Sequence, residues 1–166
     1  MKGIFFILLS LSFFMKSYGQ NNEAIINFII IVDDQIPSTG NIGLKFITQK
    51  ESREIDTIVA SYVPGDLSIR RSDFDKLLSQ DIKSIKLDIK SSEVCKEEVK
   101  YHTYEIEIRK AWLEYPFIVF RIYNLDKKRY KKLFVSLDRK DYTFEIDYPG
   151  GSMMRIRKKH PKENCK

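Results

Sequence analysis

Glu105 and Glu107 are the first residues in this chain whose spacing admits chemistry. On a strand, residues i and i+2 share a face about 7 Å apart, close to the separation at which paired acids cleave glycosides. Asp147, in another alternating segment, is a third acid for such a groove. The same pair also reads as a solvated strand face with Arg109 nearby. Asp33-Asp34, beside a turn, offers hard oxygen donors, but without the ligand spacing of a known calcium loop. Histidine is confined to His102 and His160. His102 shares the parity of Tyr104 and Ile106 and reads as a partly buried structural ring, whereas His160 stands among lysines near the C-terminus. No G-x-S-x-G occurs, and the seven glycines form no phosphate-cradling loop. Neither Cys95 nor Cys165 belongs to a C-x-x-C or has a histidine at ligand spacing. The expectation is a non-enzymatic chain with no cofactor and no metal centre.

The most distinctive surface signal is basic and aromatic. Arg121 and Tyr123 precede Lys127-Lys128-Arg129-Tyr130-Lys131-Lys132. Cations interleaved with aromatic faces can hold an anionic glycan, a lipid headgroup or a nucleic-acid strand. Lysines at a hairpin tip also guard strand edges against aggregation. Trp112, in Ala111-Trp112-Leu113-Glu114-Tyr115-Pro116, reads either as a corner-packing residue or, with Tyr115, as a sugar-stacking platform.

Alternation positions these residues. Tyr142, Phe144, Ile146 and Tyr148 fall on one face against Thr143, Glu145 and Asp147. Ile85, Leu87 and Ile89 alternate with Lys86, Asp88 and Lys90, and Tyr104, Ile106 and Ile108 with Glu105, Glu107 and Arg109. Period two means a strand with one buried face. Ala24–Val32, apolar except Asn27, and Phe117–Tyr123, apolar except Arg121, read as central strands covered on both sides or as strands whose outer face meets a partner. Ile42–Thr48 and Leu133–Leu137 also read as strands, with weaker signals at Glu54–Tyr62, Leu67–Arg70 and Met153–Lys158. Pro64-Gly65-Asp66 and Pro149-Gly150-Gly151 are turns, and Asp126-Lys127-Lys128-Arg129 reads as the tip between antiparallel strands. One short helix is expected near residues 72–79, with Ser72 as cap, Asp73 and Asp75 in its first turn, and Phe74, Leu77 and Leu78 as its apolar stripe. The fold class is therefore all-β, an antiparallel β-sandwich of about seven to nine strands with that one helix.

Residues 1–19 have the layout of a secretory signal peptide: Met1-Lys2-Gly3, the apolar run Ile4–Met15, and small residues at Ser17 and Gly19. The run is too short for the roughly 20 residues of a membrane-crossing helix. Cleavage after Gly19 leaves 147 residues, one domain over 20–158 and a basic tail over 159–166. Lys2 and Lys16 leave with the signal, taking the net charge from +6 to +4. The excess then lies in the segment from Met153 onward, which argues against nucleic acid as a partner. Export permits disulfides and favours pairing Cys95 with Cys165, with two free thiols as the alternative.

The stretch from Ile25 to Ile69 carries a strand, a turn with Pro37 and Gly40, a second strand, and Tyr62-Val63-Pro64-Gly65-Asp66-Leu67. It resembles the opening of transthyretin-like sandwiches such as carboxypeptidase regulatory-like domains, though it has Asp34-Gln35-Ile36 where that family has an Asp-Gly before the proline. The resemblance implies a non-catalytic structural or interaction module and transfers no site residues. Together these readings predict an exported binding or structural module, periplasmic or extracellular, not membrane-spanning after cleavage, with a protein or cell-envelope component as partner. A secreted inhibitor or immunity-type protein, with an apolar patch around Phe117 and Val119, and a carboxylate hydrolase are the alternatives.

Overall fold

The computed structural model describes residues 22–95, 98–135, 140–155, 157 and 158. The expected signal peptide, the 159–166 tail with His160, Cys165 and the side chain of Cys95 lie outside the described residues, and with them the expected disulfide.

The chain is a β-sandwich. In order it forms β1 (Glu23–Ile26), β2 (Phe28–Val32), β3 (Ile42–Lys50), β4 (Ile55–Val63), β5 (Asp66–Arg70), α1 (Arg71–Leu78), β6 (Ile82–Cys95), β7 (Glu98–Ile108), β8 (Ile118–Asn124), α2 (Lys128–Leu133), β9 (Tyr142–Tyr148) and β10 (Gly151–Met153). One sheet has the order β1-β5-β4-β3-β6-β7, and the other β10-β9-β8-β2. The inward rows, among them Phe46, Leu87 and Ile106 from the first sheet and Phe28, Phe120 and Ile146 from the second, form one core. Among the described residues, no helix is long and apolar enough to cross a membrane.

Three features depart from the sequence reading. The apolar run Ala24–Val32 is not one doubly covered strand. It divides at Asn27, whose carbonyl accepts from the Ile118 N–H at 2.9 Å and whose Nδ2 donates to the Pro116 carbonyl at 2.9 Å. β1 pairs antiparallel with β5, while β2 pairs parallel with β8, so the smaller sheet is mixed. This split is one source of the extra strands. Second, the 126–129 segment is not a plain hairpin tip, and Leu133 is not in a strand. Tyr130, Leu133 and Phe134, at helical spacing, fold as α2 and its exit, and they pack with Tyr123 and Leu125 into a small separate core. Third, Ser72 does not cap α1. The helix starts at Arg71, and its N-cap residue, Arg70, makes no side-chain cap bond. Asp73 instead accepts from Arg70 Nε at 2.8 Å and Lys76 Nζ at 3.1 Å. Burial works against its charge, but those two cations hold its carboxyl below the usual value.

Each sheet has an open edge closed by a tyrosine from the other. Tyr62, on β4, accepts from the Ile30 N–H of edge strand β2 at 2.9 Å. Tyr142, on β9, bonds both main-chain groups of Glu105 on edge strand β7 at 2.8 Å.

A candidate binding cleft at the loop end

β6 and β7 outrun the sheet. β3 stops pairing with β6 at Ser91, but the β6–β7 ladder continues to Cys95 and Glu98, which makes a projecting arm. Across from the arm stands the turn after β2. Val32 and Gln35 exchange both main-chain bonds, at 2.8 and 3.0 Å, around Asp33 and Asp34. Both aspartates have positive φ, 53° and 66°. Such a turn favours Asn-Gly, and a non-glycine residue held there stores strain.

The carboxylates offset that strain. Asp33 accepts from the Asn124 N–H at 2.8 Å and pairs with Lys127 Nζ at 2.9 Å. Lys127 also donates to Glu93 on the arm at 2.9 Å, so one ammonium ties the turn, the start of α2 and the arm together. Burial would lower the Lys127 pKa, but the bonds to Glu93 and Asp33 outweigh it and raise it. Asp34 pairs with Arg129 and accepts from the Tyr130 hydroxyl at 2.9 Å. These two aspartates therefore meet cations of the chain itself, and among the described residues no group of three or more His, Cys, Asp or Glu could hold a metal.

Between turn and arm lies a cleft of about 360 Å³ lined by Asp33, Ser91, Glu93, His102, Tyr104 and Lys127, with Ile36 and Val94 also on its wall. His102 is half-buried, as its parity predicts, and its Nδ1 lies 3.1 Å from Asn124 Nδ2. Tyr104 is 2 % exposed, and its hydroxyl is buried without a hydrogen-bond partner among the described residues. Burial pushes its pKa well above the ordinary tyrosine value, reinforced by Asp33, Asp141, Glu93 and Asp126. Folded proteins pair nearly all their buried polar groups, so an unpaired hydroxyl on a residue that lines a polar cavity marks that cavity as a candidate site for a polar ligand.

The structure divides the basic and aromatic residues singled out from the sequence. Lys127, Arg129 and Tyr130 meet at the turn, with the Arg129 guanidinium 4.3 Å from the Tyr130 ring centre. Arg121 pairs with Asp147 on the outer face of the smaller sheet at 3.2 Å. Tyr123 is buried in the α2 core, stacked on Phe134 at 4.6 Å, and its hydroxyl donates to Glu145 at 3.2 Å. Lys128 is exposed. Glu105 and Glu107 point outward from the larger sheet and Asp147 outward from the smaller, so the three acids do not converge. Of the two readings of Trp112, corner packing holds: the ring is buried and stacks on Tyr148 at 6.4 Å. Sequence reasoning missed Glu93, Asn124 and the hydroxyl of Tyr104. No local pattern marks them, because the groups around them arrive from distant parts of the chain. No protein-family model, curated protein or solved structure matches the chain.

Proposed function

We propose that this chain is an exported, non-enzymatic β-sandwich of the cell envelope that acts by binding, and that it holds a protein or envelope component at the loop end of the sandwich. The observation that carries this reading is Tyr104, which lines the cleft between the Asp33-Asp34 turn and the arm and whose buried hydroxyl has no partner among the described residues. The signal-peptide layout of residues 1–19 supports export. The strand–turn–strand likeness of residues 25–69 to transthyretin-like domains supports a non-catalytic module. The Cys95–Cys165 bond belongs to the same proposal. The test combines cell fractionation, intact mass with and without reductant, and capture from envelope extracts on the immobilised mature chain. The expected result is a chain beginning at Gln20 in the exported fraction, and capture that the Tyr104→Phe variant loses while remaining folded. Specific turnover of a glycan, peptide or ester, abolished by one carboxylate substitution, overturns the reading.

A second reading, an inhibitor or immunity-type protein with a single protein partner, draws on a different face. Ile55, Val59 and Val63 stand exposed in one row on the outer side of β4, with Val59 78 % exposed. By comparison Phe117 is less exposed and Val119 is half-buried. Exposed apolar rows of this kind mark protein contacts. A one-to-one complex that Val59→Asp abolishes and Tyr104→Phe leaves intact would place the partner there.

A further inference from the structure

The free edge of β7 has a fixed parity. Tyr142 takes both the N–H and the C=O of Glu105, so these groups point away from β6. In an antiparallel ladder such groups alternate in pairs. The β6–β7 register runs without a shift from Ile85↔Ile108 to Cys95↔Glu98. Val99, Tyr101 and Thr103 therefore also turn their main-chain groups outward, while Lys100, His102 and Tyr104 bond to β6. Tyr142 closes the edge at Glu105. Beyond it no strand among the described residues pairs with the edge, and the arm carries exposed apolar side chains: Tyr101 at 78 %, with Val94 and Val99 opposite each other beside it. A long open edge with an apolar face is a template for another strand.

We propose that β7 pairs with β7 of a second copy, antiparallel about a two-fold axis at Tyr101, which joins the two six-stranded sheets into one. Three observations favour a second copy over an unrelated strand. Centring on Tyr101 brings all three open residues into bonded pairs: Val99 with Thr103 of the second copy, Tyr101 with its own equivalent, and Thr103 with Val99. Moving the axis to His102 sets Val99 against Glu105, whose groups Tyr142 already occupies. The facing side chains also suit each other. Over residues 98–104, aromatic and β-branched pairs form on the outer face, Lys100 meets His102, Glu98 meets Tyr104, and no carboxylate faces another. Finally, the arm projects beyond the sandwich, so antiparallel pairing sends the two bodies to opposite ends of the shared ladder. The contact is isologous and closes at two copies. The pairing sets Lys100 and Glu98 of the second copy beside His102 and Tyr104, which also line the cleft, but its test reads self-association and needs no ligand.

Sedimentation velocity of the full mature chain across roughly 1 to 100 μM tests this, a range in which micromolar association is visible. A reversible dimer is expected. Thr103→Pro removes an outward N–H that no described strand uses, and should weaken the dimer at least tenfold without lowering the unfolding midpoint. Tyr101→Lys should do the same through the side chain, which keeps the test decisive if the proline variant does not fold. His102→Pro, which removes an N–H bonded to β6, should lower stability instead. A monomer throughout the range, or a dimer unchanged by both Thr103→Pro and Tyr101→Lys, overturns the proposal.

Discussion

The Tyr142 hydroxyl donates to the carbonyl of Glu105 and accepts from its N–H, each at 2.8 Å, so one phenol satisfies both main-chain groups of a residue on an open sheet edge. Tyr62 performs the reciprocal task for Ile30 on the other sheet. Removing a buried partner costs more than the bond is worth, because the group left behind is desolvated and unpaired. Tyr62→Phe orphans an N–H in the core and should cost about 1–3 kcal/mol, whereas Tyr142→Phe, at a wetter edge, should cost about 1 kcal/mol. The two sites share no hydrogen-bond partner, so the double variant should be additive within about 0.5 kcal/mol in urea unfolding. A larger coupling would mean that the sheets are not pinned independently.

Tyr104→Phe should behave in the opposite way. Its hydroxyl is buried without a partner among the described residues, so deleting it removes a desolvation cost and none of the hydrogen bonds among them. Stability should be unchanged or rise by up to about 1 kcal/mol, while ligand capture falls. Equilibrium urea unfolding beside capture on the immobilised chain measures both. A loss of stability well beyond 1 kcal/mol would mean that the hydroxyl is already spent inside the fold, and would remove the main support for the cleft as a site.

How much of this was legible in the sequence depends on how far apart the cooperating residues lie. Alternation at Ile85-Leu87-Ile89 and at Phe144-Ile146 marks strands because each residue reports its own side of a pleat. Asn27 interrupts an apolar run at the point where the chain changes sheets, and its polarity was the visible sign. The Tyr130, Leu133 and Phe134 spacing encodes α2, but the lysines around it give the segment the composition of a charged tip. The cleft was not legible. Lys127 meets Glu93 from 34 positions away and Asn124 meets Asp33 from 91, so a count of local charge sees a basic patch where the fold assembles ion pairs. The same distance hides Tyr142 from Glu105.

Arg53 offers a stabilising change. It has φ of 71° in the turn between β3 and β4, where its N–H donates to the Lys50 carbonyl at 2.9 Å. A left-handed conformation costs an L-residue roughly 1–2 kcal/mol, and glycine avoids that at some loss of unfolded-state restriction. Arg53→Gly should therefore raise stability by about 0.5–1 kcal/mol, read as a higher denaturant midpoint with an unchanged slope. A lower midpoint would show that the arginine side chain holds the turn.

Alkaline pH should unfold the chain sooner than its lysine-rich composition alone implies. Burial is the first cause raising the pKa of Tyr62, Tyr104, Tyr123 and Tyr130, and Tyr123 and Tyr130 are pushed up to about 12. A buried phenol keeps its proton in a range where the unfolded chain has lost it, so the folded state binds more protons there. Stability from these groups is complete below about pH 10 and declines as pH rises toward 12, by at most about 1.4 kcal/mol per pH unit for each tyrosine. Lys127 acts in the same direction, since its raised pKa reflects bonds to Glu93 and Asp33 that are lost on deprotonation. Urea unfolding at about pH 8, 10 and 11, with tyrosinate absorbance followed in parallel, should show a falling midpoint across the upper two values. Tyr123→Phe should flatten that fall after correction for its own loss of the Glu145 bond. A midpoint independent of pH up to about 11 would mean that these phenols ionise in the folded state as they do in the unfolded one, and that the α2 core around Tyr123 and Tyr130 admits water.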